Sequence, residues 1–266
     1  MNRPLFLASL LLTITGSFAL GQEAPAKINL QDPDLVMVES SVIPIPLEIF
    51  ASLDKLGAQD WAGQVESREI LLDTNRSRTA LLFGLVVSEG FIAVQAQDKE
   101  AVRRIGREVL RLASSLGVAG SVEGHANAIV NAAGTAEWSI VRSELDKTRQ
   151  TVLTKMTELR DDQLVDLVSI GGWLGGTQAL ASVLQRNYSI EGSDLLNQPD
   201  LVKQLKKSFD VLPDRAKRGK LFSQVGKTLE HLESLMKSDE TGAISEGKVI
   251  EISLSTKNLV EAIYDI

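Results

Sequence analysis

The sequence predicts an all-α fold, a compact bundle of about seven to nine helices behind an extended, proline-rich N-terminal arm. Three observations predict it. No proline stands between Pro46 and Pro199, so no residue in that long stretch fixes φ and removes a backbone donor in the way that breaks a helix. Apolar residues recur at steps of three and four almost everywhere beyond residue 46, which places them on one face of a 3.6-residue turn. The one stretch that alternates like a strand, KVIEISLS near the C-terminus, has no convincing partner strand. Its Val249 and Ile252, with Thr256, Leu259 and Ile263, also fit helical steps, so it is assigned to a helix.

In chain order, residues 1–21 carry one basic residue, an apolar run, and Ala19 and Gly21 at the two positions a signal peptidase reads. This is the pattern of a cleaved export signal, with cleavage near Gly21 and a periplasmic or secreted destination. A retained anchor is the alternative, but the run is shorter than the ~20 residues a spanning helix needs. Residues 22–46 hold Pro25, Pro33, Pro44 and Pro46 and read as an extended arm, because proline and the residue before it disfavour helical backbone. Residues 35–38 are apolar enough to dock. A single α-helical domain is expected over residues 47–266. Within it, Val102, Ile105, Val109, Leu112 and Leu116 form a helical stripe, opened by Asp98 as N-cap and closed by Gly117 as C-cap. Trp138, Val141, Leu145, Val152, Met156 and Leu159 follow a cap at Thr135. Val202, Leu205, Phe209 and Leu212 make a shorter helix that starts near Pro199. Pro213 stops it and is expected to open the next, whose seam is Phe222, Val225, Leu229, Leu232 and Met236.

Two segments break the amphipathic pattern. Residues 79–96 are apolar on nearly all sides, as in a central buried helix or a membrane span; Glu89 in the middle argues against the span, and no integral span is expected once the signal is removed. Residues 118–134 are mostly alanine and glycine, which permits close approach of another backbone. A third segment raises its own question. In SIGGWLGGTQALASVL, residues 169–184, four glycines surround Trp173 inside a helical pattern, although each costs a helix about 1 kcal/mol relative to alanine. A phosphate loop is excluded, since Thr177 stands where the Walker lysine belongs. At ~100° per residue, Gly171, Gly172, Gly175 and Gly176 share one arc. They are read as a groove that accepts a second helix, preferably residues 118–134, with a hinge or a ligand-approach loop as the alternatives.

The composition, 44% hydrophobic and 24% charged, supplies a core of ordinary size. The net charge of -7 at pH 7 gives no electrostatic reason to seek nucleic acid or anionic lipid. With no cysteine there is no disulfide, thiol nucleophile or thiolate metal ligand. No H-E-x-x-H or G-x-S-x-G motif occurs, so no catalytic set, cofactor or metal site is assigned. Glu89 is the residue that most needs explaining, because a buried carboxylate must pair or take up a proton; it is expected to be buried and paired. A sharper reading joins it to His125 and Trp173 in the wall of a ligand pocket. His125 otherwise reads as hydrogen-bonded structure, and Glu123, two residues away, points ~200° from it and cannot share an ion with it. His231 reads as solvated, and Arg103, Arg104, Arg107 and Arg111 as a face laced by Glu100 and Glu108. The function expected is a non-enzymatic binding or scaffold module with a protein partner. A small-ligand binder with a pocket around Glu89 is the alternative.

Overall fold

The computed structural model describes residues 50, 53–66, 68–72, 74–239 and 242–265, all within one unit that spans residues 40–266. The expected export signal and arm lie outside the described residues. Among the described residues there are eight helices of at least 12 residues and no strand. They are α1 (Arg76–Gln95), α2 (Lys99–Leu116), α3 (Ala119–Gly134), α4 (Trp138–Glu158), α5 (Asp162–Arg186), α6 (Pro199–Asp210), α7 (Lys220–Leu235) and α8 (Glu246–Tyr264).

Most boundaries follow from capping chemistry. Asn75 and Asp98 accept hydrogen bonds from the Arg78 and Ala101 amides and so satisfy orphan donors at the starts of α1 and α2. Gly117 closes α2 at φ 82°, a left-handed conformation that costs glycine nothing. Pro199 occupies the first turn of α6. Ser245 caps α8, whose Val249, Ile252, Thr256 and Ile263 are all fully buried, so the alternating C-terminal stretch is a helix. Two expectations are corrected. Thr135 closes α3 instead of opening α4: its hydroxyl donates to the Ala132 carbonyl, and Glu137 precedes α4 without a side-chain cap. Pro213 opens only the single 3-10 turn Asp214–Ala216, and α7 begins after Gly219, whose φ of 102° redirects the chain.

The core is centred on α1 and α5. Both are long and apolar enough to cross a membrane by length and composition, and 78% and 61% of their most apolar windows are buried inside the fold. They pack chiefly on each other, with α2, α3 and α4 wrapping one side and α8, α7 and α6 the other. The crossing is backbone against backbone. A Cβ built on Gly171 would sit well inside 3.0 Å of the Leu81 carbonyl, and one built on Gly84 would do the same to the Val168 carbonyl and the Gly172 amide. The partner of this glycine face is therefore α1 and not residues 118–134. Gly84 supplies the reciprocal small residue that lets the two axes close.

Candidate functional site

The four glycines of α5 do not act as one arc. Gly171 and Gly175 face α1, where a Cβ on Gly175 would collide with the Ser88 hydroxyl. Gly172 and Gly176 lie a further ~100° around the helix, and a Cβ there would meet only the Gly84 carbonyl at 3.6 Å for Gly172 and nothing within 4 Å for Gly176. The missing side chains recess that flank of α5. It forms the floor of a cavity of about 340 Å³ that α1, α2, α3 and α4 complete.

The walls are apolar. Val87 and Phe91 come from α1, Val109 from α2, Ile129 from α3, Val152 from α4 and Trp173 from α5. Val87, Phe91, Val109 and Trp173 are only half-buried, so the cavity is a cleft that opens to solvent. Three of its hydroxyls are committed to their own helices: Ser88 donates to the Leu85 carbonyl at 2.6 Å, Thr148 to Glu144 at 2.7 Å and Ser169 to Val165 at 2.8 Å. The Trp173 indole donates to Gln198 Oε1 at 3.1 Å, and Gln198 Nε2 donates to the Leu195 carbonyl. The charged side chain among the lining residues is Arg149 of α4, half-buried. Residues 118–134 thus relate to the glycines across an open cleft, through Val122, Ala126 and Ile129.

Glu89 is not in that cleft. It stands two residues from both Val87 and Phe91, about 200° around α1, beside Gln64, Arg68, Gln178 and Val260 in a void of only about 20 Å³. The Tyr264 hydroxyl donates to Glu89 Oε1 at 2.6 Å, and the Arg68 guanidinium lies 4.7 Å from the centre of the Tyr264 ring. Burial pushes the Glu89 carboxyl up to about 7, against the lowering effects of the Tyr264 hydrogen bond and the Arg68 charge. Burial and the adjacent carboxylate push the Tyr264 hydroxyl far up, so it serves as a donor. Three turns earlier on α1, buried Arg78 donates to the carbonyls of Ile263, Tyr264 and Asp265 at 2.8, 3.1 and 2.8 Å. These groups end α8 and fix it to α1; this is a structural joint with no room for a ligand.

His125 is elsewhere again. Its Nδ1 lies 2.9 Å from Glu144 Oε2 and its Nε2 lies 3.2 Å from Thr151 Oγ1. Lys147 donates to Glu144 Oε1 at 2.6 Å and, with His125, holds that carboxyl below the usual range. A carboxylate, an imidazole and a hydroxyl in series resemble a nucleophile relay. Thr151, however, sits in the interior of α4, where the backbone amides are used by the helix and supply no oxyanion donors. The arrangement ties α3 to α4. Asp166 is a further carboxyl raised by burial, although Ser208 hydrogen-bonds to it. Among the described residues no group of three or more histidine, aspartate or glutamate side chains could hold a metal ion.

Of the three residues expected to share a pocket, only Trp173 lines the cleft. Sequence reasoning missed Arg149 and Gly84. A glycine interrupting the apolar run 79–96 was a legible signal for Gly84; an arginine within a charged amphipathic helix was no signal for Arg149. No family model, no curated protein and no solved structure matches the chain.

Proposed function

We propose that this protein is a non-enzymatic binding protein that takes up an apolar ligand in the cleft between α1 and α5, floored by Gly172 and Gly176. The observation that carries the reading is the cleft itself: about 340 Å³, apolar, open to solvent and built around absent side chains. Ligand sites span roughly 300–1,000 Å³ and are mostly apolar with a few fixed polar groups. Gly172 and Gly176 are not needed for the α1–α5 contact, and each costs a helix about 1 kcal/mol against alanine. A ligand site is one reason to keep them. The test uses N-phenyl-1-naphthylamine, an uncharged dye that fluoresces in apolar surroundings. Saturable binding by the wild type, lost in Gly176→Leu at undiminished thermal stability, supports the reading; equal binding by the variant places the dye elsewhere and defeats it.

Residues 1–21 support export in the same proposal, to the periplasm or the outside of the cell. N-terminal sequencing of protein isolated from its native source should begin near residue 22, and recovery of Met1 would favour an anchor. The scaffold reading, with a protein partner, is supported by Ile250 and Leu254, which lie one turn apart on α8 and are 37% and 53% exposed.

A further inference from the structure

We infer that the ligand of the cleft is an uncharged, single-chain molecule with one hydrogen-bonding oxygen, whose hydrocarbon chain lies along the α1–α5 seam and whose oxygen bonds to the Thr177 hydroxyl. The inference rests on the reading of the cleft as a ligand site and adds the chemical class of the ligand.

Shape comes first. The lining residues run from Phe83 to Val94 on α1 and from Val168 to Leu180 on α5, which at 1.5 Å per residue is a trough of roughly 16–18 Å. A trough of this length with a modest volume is narrow, and it suits a chain better than a broad ring. Charge comes second. Arg149, the charged side chain in the lining, already has an interaction partner, so the described walls offer no open charge to an ionised head group. A buried ion without a partner is strongly disfavoured. Polarity comes third, and it singles out Thr177. This threonine of α5 lines the cleft and is 6% exposed. Hydroxyls inside a helix commonly donate to the carbonyl four residues back, as Ser169 does to Val165 at 2.8 Å two turns earlier on α5. The Thr177 hydroxyl makes no hydrogen bond to any other described residue. The fully enclosed side-chain atoms without a partner, among the described residues, belong to Trp61, Glu108 and Asp146. The Thr177 oxygen therefore retains accessible surface, and the cleft wall is where Thr177 has surface to offer. A valine of nearly the same shape would make this point of the wall wholly apolar, and an unpartnered hydroxyl so deeply buried calls for a reason. A ligand oxygen supplies one. A threonine hydroxyl both donates and accepts, so it can serve an alcohol, a ketone or an ester. Trp173 and Leu180, one turn to either side on α5, also line the cleft and give the adjoining chain an apolar bed.

The test is competition against bound N-phenyl-1-naphthylamine in the wild type, Thr177→Val and Thr177→Ser. The competitors are 1-decanol, 1-chlorodecane, decanoate, decylamine and cyclododecanol, a ring alcohol of similar hydrophobicity to 1-decanol. In the wild type 1-decanol should displace the dye at a lower concentration than either ion or the ring alcohol. Thr177→Val should raise the 1-decanol requirement about threefold to tenfold, the loss of one neutral hydrogen bond. The requirement for 1-chlorodecane, which has the same chain and no oxygen, should not change, and Thr177→Ser should behave as the wild type. Because the hydroxyl bonds to no described residue of the fold, ligand-free Thr177→Val should melt no lower than the wild type. A lower melting temperature overturns the Thr177 assignment by showing that the hydroxyl is engaged within the fold. Equal shifts for 1-decanol and 1-chlorodecane in Thr177→Val overturn it by leaving the hydroxyl to solvent. Decanoate or decylamine that displaces the dye as readily as 1-decanol overturns the uncharged assignment, and cyclododecanol that does so overturns the single chain. Dye that binds in the cleft but is not displaced by 1-decanol overturns the inference as a whole. Failure of the wild type to bind the dye at all defeats the underlying reading instead, so the two failures are distinguishable.

Discussion

Glu89 shows what a single residue contributes here. Its carboxyl is raised from 4.5 to about 7 mainly by burial, so its protonated form is the better tolerated one inside the fold. For an acid whose folded value lies above its unfolded value, the associated stability is complete below about pH 4.5 and is lost as pH rises through about 7. Such a shift is worth roughly 3 kcal/mol at most. Glu89→Gln keeps an acceptor for Tyr264 and removes the titration. Wild type and variant compared by urea melts at about pH 5 and about pH 8 should therefore diverge, the wild type losing ground to the variant by one to a few kcal/mol as pH rises. A constant difference would mean that the carboxyl is hydrated at both values. The sequence made Glu89 conspicuous as the one carboxyl in an apolar run, but it could not name the partner. Tyr264 lies 175 positions away, and nothing local in a C-terminal tyrosine announces such a contact.

Elements were legible wherever one helix decides its own fate. The 3–4 stripe and the Asp98 and Gly117 caps of α2 are local physics, and so is the Pro199 start of α6. Pairings were not, because several small-residue faces compete for the same glycines. Residues 118–134 matched α5 in small volume, yet α1 took the crossing because Gly84 lets it present bare backbone. Gly171→Ala should then push a methyl group into the Leu81 carbonyl, where no side chain can rotate away, and cost about 1–3 kcal/mol or more by overpacking. Gly176→Ala meets nothing within 4 Å and should stabilise by up to about 1 kcal/mol through helix propensity. Thermal or urea melts decide between them; equal effects would mean that the four glycines are equivalent after all. The α1–α8 joint makes a parallel case. Arg78→Met keeps an apolar stem but strands the last carbonyls of α8, which the guanidinium now satisfies while opposing the negative end of that helix dipole. A loss of about 1–3 kcal/mol is expected, with amide exchange in the last turn of α8 rising more than in α2. Uniform acceleration would show that Arg78 supports the whole core and not this end.

For the whole molecule the cleft is a deficit that a ligand can reverse. A sealed void of about 340 Å³ would cost ~8 kcal/mol at ~24 cal/mol per Å³, a large part of the ~5–15 kcal/mol that holds a domain folded. An open cleft avoids that penalty by admitting water, at the expense of leaving apolar walls wet. One contiguous core joins Phe50 to Ile263 through all eight helices, so whatever binds the cleft stabilises the entire fold and not a local lobe. Ligand at about one hundred times its dissociation constant adds ~2.7 kcal/mol to the folded state, which for a domain of this size raises the melting temperature by roughly 5–10 °C. A saturating apolar ligand should produce that rise in the wild type, with Trp fluorescence and far-UV circular dichroism moving together as one transition. In Gly176→Leu the new side chain occupies the floor of the cleft. That variant should melt at or above the temperature of the unliganded wild type and be insensitive to the ligand. A wild type whose melting temperature does not respond to saturating ligand, or a Gly176→Leu variant that responds equally, would separate the cleft from the stability of the fold.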